Sequence, residues 1–243
     1  MKSLSIVIPA LNEEKYLGET LERVKEAVKE LEGSSSCPMV QIIVVDNGST
    51  DRTADVARSF GAIVVPESER NIGKARNVGA RAAEGEVVLF LDADTLIPPA
   101  LLSRIVEIMS DPLCDGGAVE TDHQPKSSIL RVYFWFWRMA SRLSAMAQGA
   151  AQFYRREAFL EMGGYDEKIF MGEDVECYWD MNRAAKKRGH KLHFIKELKV
   201  VPSPRRFDIW PLWRTLVYTN PALILLRRRS QRAWRGWYES APR

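Results

Sequence analysis

The sequence is poor in the features that mark several functional classes. It holds only three cysteines, Cys37, Cys114 and Cys177, scattered with no metal-like spacing. Such a set argues against a disulfide framework and fits a reducing compartment. No apolar run approaches the roughly 20 residues of a membrane span, and the longest candidate, Pro221 to Leu226, is far too short. The net charge is only +3, from 35 Lys and Arg against 32 Asp and Glu, so nothing global suggests a nucleic-acid binder. The three histidines, His123, His190 and His193, have no spacing that identifies a ligand set, and no metal role is assigned to them. No signal-peptide core precedes the first strand-like segment, and no repeat or low-complexity linker interrupts the chain. These absences lead to the expectation of a cytoplasmic, globular protein.

What is present is unevenly placed. Residues 205–243 carry nine arginines against Asp208 and Glu239, a net of +7, which leaves −4 for the remainder. A basic tail on a mildly acidic body suggests an anionic partner surface. The run Tyr133-Phe134-Trp135-Phe136-Trp137 has Arg131, Arg138 and Arg142 around it, and the tail adds Trp210, Trp213, Trp234 and Trp237. Interleaved aromatics and arginines suit an anionic bilayer surface, and peripheral attachment to the inner face of a membrane is expected. The competing reading packs these aromatics into the protein or against a second copy.

The periodicity alternates between strand and helix over residues 1–110. Leu4–Ile8, Val40–Val45, Ala62–Val65 and Val87–Leu91 read as short strands buried on both faces. Between them lie helices, the first capped by Asn12 and broken at Gly33 and three serines. The second is capped by Ser49, the third runs from Gly73 to Ala83, and a fourth opens at Pro98-Pro99. This pattern predicts βαβ units and a mainly parallel sheet. Beyond it, a strand at Gly117–Thr121 and an aromatic helix from Ile129 to Met146 are expected. A strand at Gln152–Tyr154 follows, then a helix from Glu173 to Arg188, short strands at Leu192–Ile195 and Val200–Val201, and a helical tail from Pro211.

Polar clusters follow three strands. Ligands collect at the carboxyl ends of open α/β sheets, and Pro9 to Glu13, Asp46 to Asp51 and Asp92-Ala93-Asp94 all fall there. Two carboxylates one residue apart at the mouth of a buried strand repel each other, and a hard divalent cation relieves that repulsion. Asn71 to Asn77, with Lys74 and Arg76, opens a helix in the way that suits a pyrophosphate. Gly172-Glu173-Asp174 opens another, where the helix dipole favours ionised carboxylates and an ionised carboxylate can act as a base. Taken singly, each has a plainer reading as turn, cap or solvated face; their common edge raises the functional one.

In this order the motifs Ser5–Glu13, Val44–Asp51, Asn71-Ile72-Gly73, Ala75-Arg76-Asn77, Asp92-Ala93-Asp94, Gly163-Gly164-Tyr165 and Glu173-Asp174 resemble those of the family 2 glycosyltransferases over roughly residues 4–201. The resemblance implies an α/β GT-A domain over residues 1–204. Its nucleotide-sugar half would span about 1–110 and its acceptor half 111–204, followed by the basic, Trp-rich tail. It implies an inverting, metal-dependent transfer, with Mg²⁺ or Mn²⁺, from a nucleoside-diphosphate sugar to a hydroxyl acceptor, lipids and lipid-linked glycans included. Pro9, Glu13, Asp46 and Asn47 would surround the nucleoside, and Lys74 or Arg76 would lie near base or phosphates. Asp92 would serve ribose and metal, Asp94 the metal, and Asp174 would be the base. Family members often carry Asp-Asp where Asp46-Asn47 stands. The Asn47 oxygen can still accept from a uracil N–H, which favours UDP, with GDP the rival. Glu173, Arg205 and Arg206 would face the acceptor or phosphates.

Three other functions compete. A polyprenyl-phosphate acceptor is already anionic and needs no base. A sugar-phosphate nucleotidyltransferase would show a Gly-rich basic loop after the first strand, which Pro9–Glu13 is not. A non-catalytic nucleotide-sugar binding module has no reason to keep Asp92, Asp94 and Asp174 together.

Overall fold

The computed structural model describes residues 1–33, 37–144, 147 and 149–239. Along the chain run β1 (Ser3–Ala10), α1 (Leu17–Glu32), β2 (Met39–Asp46), α2 (Thr53–Ser59), β3 (Ile63–Pro66), α3 (Ile72–Ala82), β4 (Val87–Leu91), β5 (Thr95–Leu96), α4 (Leu101–Met109) and β6 (Cys114–Thr121). After them come α5 (Ser128–Ser144), β7 (Ala151–Arg155), α6 (Arg156–Met162), α7 (Glu173–Lys187) and β8 (Lys191–Pro202). The chain ends in the short helices α8 (Arg205–Ile209), α9 (Leu212–Tyr218), α10 (Pro221–Arg227) and α11 (Gln231–Glu239).

The eight strands form one sheet in the order β3-β2-β1-β4-β7-β6-β8-β5. The β3-β2-β1-β4 half is parallel throughout. β7 inserts antiparallel between β4 and β6, and β5 closes the far edge antiparallel to β8. The sheet is therefore mixed and mainly parallel. Alternation along the strands builds a core on each face. Leu4, Ile6 and Ile8 of β1 and Val87, Leu89 and Leu91 of β4 pack under α1 and α4, whereas Val7, Val88 and Phe90 face the layer of α3, α6 and α7. This is the period-2 pattern of a strand covered on both sides.

Local details depart from the sequence reading. Asn12 and Ser49 do not cap helices. Asn12 sits at a left-handed φ of 55°, and its side chain accepts from the Thr50 amide. Ser49 Oγ accepts from the Asn12 amide. α1 begins only at Leu17, with no side-chain cap on Tyr16. Side chains that cap well are also those that cross-link loops, and here the loops win. The segments expected as two strands at 192–195 and 200–201 are one strand, β8, continuous across a register shift against β6. The serines at 34–36 and the expected end of the aromatic helix at 145–146 lie outside the described residues.

Candidate functional site

The loops at the carboxyl ends of the strands are tied to one another before any ligand is considered. The Asn47 amide bonds to the Ala10 carbonyl, and the Glu13 amide to Thr53 Oγ1 at 2.8 Å. The Ser49–Thr53 stretch thereby fixes the turn that carries Glu13. The Asp92–Asp94 turn is held from three sides. Thr20 Oγ1 donates to the Ala93 carbonyl at 2.9 Å, the Asp92 amide to Ala150 at 3.2 Å, and the Ser203 amide to the Asp94 carbonyl at 2.9 Å. This last contact, with the β5–β8 pairing, delivers Arg205 and Arg206 to the same edge.

Two cavities open there. One, of about 270 Å³, is lined by Pro9, Glu13, Asn47, Arg76, Asp92, Asp94, Glu173, Asp174, Arg205 and Arg206, with Arg70, Asn71, Met171 and Trp237 among the others. The second, of about 330 Å³, has Phe134, Trp137, Trp179, Phe207, Tyr218 and Ile224 on its walls and is mainly apolar. Asp92, Asp94, Asp174, Arg205 and Arg206 line both. A polar chamber and an apolar one therefore meet at three carboxylates and two guanidiniums. A larger cavity of about 530 Å³ lies by α5 and the end of β6. Its carboxylates are already held, Glu120 by Arg142 and Asp122 by Arg138, each at 2.6 Å.

Buried arginines organise the junction. Arg76, 2% exposed, donates to Asp92 Oδ1 and to Glu173 Oε1, both at 2.8 Å, and lies over the Tyr165 ring. Its neighbours hold it charged despite its burial. Arg205 grips Glu13 through both terminal nitrogens at 2.7 and 2.5 Å, reaches Asp94 Oδ2 at 3.1 Å and stacks on Tyr16. Such bidentate pairing is the stronger class of charged contact. Arg206 lies over Trp237, its guanidinium 3.8 Å from the ring centre.

Burial shifts both carboxylates of this helix start toward their protonated forms. Burial pushes Glu173 up to about 7, the charge of Asp174 adds to this, and Arg76 only partly opposes it. Asp174 is also raised, by burial first, against the pull of Arg76 and of backbone donors. Its Oδ2 accepts from the Gly149 amide at 2.5 Å and its Oδ1 from the Val175 amide at 2.8 Å. Desolvation outweighs the dipole here, which corrects the expectation of freely ionised acids. The turn into α7 needs Gly172, whose φ is 76°. A Cβ on Gly149 would stand 2.5 Å from that of Asp174, so the acid has its seat only because residue 149 has no side chain.

Two expected nucleoside or phosphate residues are turned elsewhere. Lys74 Nζ bonds to Glu69 at 2.5 Å and is absent from the cavity wall, because two acids lie within its reach. Asp46 is also off the wall; its Oδ1 accepts from the Ser49 amide. Asn47 is on the wall, but its amide is engaged. It donates to the carbonyls of Glu67 and Glu69, and its oxygen accepts from the Asn71 amide at 3.1 Å. Asn47 thus shapes the 67–71 segment rather than offering an unengaged amide. Tyr16, Met171 and the Glu13–Arg205 pair were not foreseen, since partners 192 residues apart leave no local signal.

The oxygen donors suit a hard cation. Asp94 is pushed up to about 6 by burial, with Asp92 and Glu13 adding to the effect and Arg205 opposing it. That residual negative charge is what a divalent ion would relieve. Among the described residues no group of three or more His, Cys, Asp or Glu stands ready to enclose a metal, so further ligands would have to come from a diphosphate and water.

A sequence profile described as glycosyl transferase family 2 matches residues 5–163. The chain is 33% identical over 153 residues to the undecaprenyl-phosphate 4-deoxy-4-formamido-L-arabinose transferase of Serratia proteamaculans, covering 60% of this chain and 43% of that protein. It is 27% identical over 209 residues to glycosyltransferase AglE of Haloferax volcanii, covering 80% and 65%. The chain thus spans under two thirds of the length of these relatives. The mannosyltransferase PcManGT of Pyrobaculum calidifontis, solved with GDP-Man and Mn²⁺, superposes with a TM-score of 0.67 at 21% identity, over 96% of this chain and 64% of that one. TarS of S. aureus with UDP-GlcNAc superposes with a TM-score of 0.64 at 20% identity, over 84% and 59%. The expected α/β GT-A fold is the fold these structures share with the chain.

Proposed function

Because the chain belongs to glycosyl transferase family 2, we propose that it transfers a sugar, with inversion, from a nucleoside-diphosphate donor to an acceptor entering through the aromatic cavity. The observation that carries this reading is the meeting of a polar and an apolar chamber at Asp92, Asp94, Asp174, Arg205 and Arg206. The nucleoside lies between the Pro9–Glu13 turn and the Asn47–Asn71 wall, and with the Asn47 amide engaged UDP and GDP stand as equal candidates. Arg76 fixes Asp92 in place, and Arg205 and Arg206 face the diphosphate. Mg²⁺ or Mn²⁺ held by Asp94, with Asp92 beside it, would supply charge stabilisation to the leaving diphosphate.

Asp174 takes the proton from the acceptor hydroxyl. The acceptor oxygen forms the new bond to the anomeric carbon, and the carbon–oxygen bond to the diphosphate breaks on the opposite face. The two backbone donors on Asp174 orient the carboxylate and leave a lone pair on each oxygen. Its raised pKa makes it a better proton acceptor once ionised. The acceptor is lipidic or lipid-linked, and the enzyme works at a membrane surface, a reading supported by the apolar wall of the second cavity. One observation favours a polyprenyl phosphate itself as acceptor. Arg228, paired with Glu176, lines that wall with Arg205 and Arg206, so three guanidiniums stand at a chamber suited to an isoprenoid, and in that case Asp174 is not needed as a base.

The test is calorimetric titration of UDP and GDP into the wild type and Asp94→Ala, in EDTA and in Mn²⁺. Tighter wild-type binding in Mn²⁺, lost in the variant, is expected. Equal affinity in both media for both nucleotides would reject the metal-bridged donor.

A further inference from the structure

The aromatic segments divide once folded. Phe134, Trp210 and Trp234 are buried, and Trp210 packs against Tyr218 and Trp237. Trp135, Phe136 and Trp213 are exposed. On α5, Ile129, Val132, Phe136 and Met139 are exposed at helical spacing and make one stripe. On α9, Leu212, Trp213, Leu216 and Val217 make another. The two helices are joined by the hydrogen bond between Tyr133 and Thr219 at 2.7 Å. By helical spacing each stripe flanks the residue that makes this bond, so both border the same seam. Leu225 and Leu226 of α10 continue the apolar surface. Leu225 also lines the acceptor cavity, so the apolar wall of that chamber runs out onto the exposed face.

Charge decides what covers this face. Residues 126–144 and 209–238 contain no Asp or Glu, while Arg131, Arg227, Arg229, Arg232 and Arg235 are exposed beside the stripes. Acids reach this edge at Asp166, which pairs with Arg229, and at Asp208, which accepts from the Lys126 amide, but arginines outnumber them along the strip. Such a surface matches a bilayer with anionic headgroups, where the apolar side chains enter the acyl boundary and each arginine near the surface adds attraction. A second copy of the same face would bring like charges together.

We propose that the outward faces of α5, α9 and α10 seat the protein on an anionic lipid bilayer, with the mouth of the acceptor cavity opening into the membrane. This deepens the lipid-acceptor reading above, and the two can fail separately because donor binding is measured on the same samples. The full chain is sedimented with vesicles of phosphatidylcholine alone and of phosphatidylcholine with phosphatidylglycerol. The double variant Phe136→Glu/Trp213→Glu, at sites 61% and 66% exposed and outside both cavities, is compared with the wild type. Leu226→Asp, at 81% exposed, serves as the second variant should the first fail to fold. The wild type should bind the phosphatidylglycerol vesicles, more weakly in high salt, and the variants at least about tenfold less, with UDP or GDP affinity unchanged. No wild-type binding, binding that ignores the substitutions, or a wild-type dimer in light scattering that the variant dissociates would each overturn the proposal.

Discussion

Glu173 offers the sharpest physical test of the site. It is 9% exposed and bonded to Arg76, yet its pKa rises from 4.5 to about 7. Between these values the folded protein holds a proton that the unfolded chain has released. Stability is therefore greatest below the unfolded pKa and falls as pH rises through the folded one. The difference is worth about 3 kcal/mol at 1.36 kcal/mol per unit. Glu173→Gln removes the titration and keeps an oxygen for Arg76 to donate to. Urea denaturation should show the wild type losing up to about that much more stability than the variant between pH 5 and pH 8. The depressed carboxylates Asp51, Asp111 and Glu197 titrate below this window, whereas Asp94, pushed up to about 6, and Asp174, also raised, add a fall of the same sign to both proteins. His193, whose pKa is lowered by burial, titrates equally in both proteins and cancels in the comparison. A flat wild-type profile, or a slope as steep in Glu173→Gln as in the wild type, would refute the claim that burial dominates this acid.

Three further outcomes follow from the same contacts. Asp174→Asn should lower kcat by about 10²–10⁴-fold on a hydroxyl acceptor with donor affinity nearly normal; full turnover would move the polyprenyl-phosphate reading ahead. Gly149→Ala should cost about 1–3 kcal/mol in denaturant unfolding, since its Cβ would meet Asp174 at 2.5 Å, and a neutral effect would show that the seat can yield. Arg76→Met leaves Asp92 and Glu173 without their shared partner and should cost about 3–5 kcal/mol at neutral pH, with part recovered in acid as Glu173 protonates; an unchanged urea midpoint would deny the pair its role.

The strands and their common edge were legible because burial on both faces writes a continuous apolar run, and because polar residues just after such a run have few other places to go. Asp92 and Asp94 are read this way from Val87 to Leu91 alone. The misreadings share one cause. Asn12, Ser49 and Lys74 belong to residue types whose local habits are capping and solvation, and their actual partners come from other loops. β8 looked like two strands because Lys196, Glu197 and Lys199 interrupt its apolar pattern, as expected of a strand near the sheet edge that is half exposed. Asp174 and Glu173 sit at a helix start that the sequence located well, but the desolvation that governs their protonation arises from tertiary packing.

The pairing of charges around the first cavity constrains how a donor can enter. Five carboxylates, Glu13, Asp92, Asp94, Glu173 and Asp174, face four arginines, 70, 76, 205 and 206. Arg76 and Arg205 are already committed to four of those acids. A diphosphate adds negative charge to a wall with no surplus of cations, and at low dielectric that repulsion is large. Two routes relieve it. Arg205 can release Asp94 and turn to the phosphate, or a cation can arrive with the donor and take Asp94 over. The first alone leaves Asp94 buried without a partner, the costly outcome of a broken buried pair. The two together give Asp94 the cation and the phosphate Arg205, with Glu13 still in reach of Arg205. On the proposed function, donor binding and a rearrangement of Arg205 would be coupled by charge balance, and the affinity for a nucleotide should then depend on the cation more steeply than a single carboxylate contact would make it.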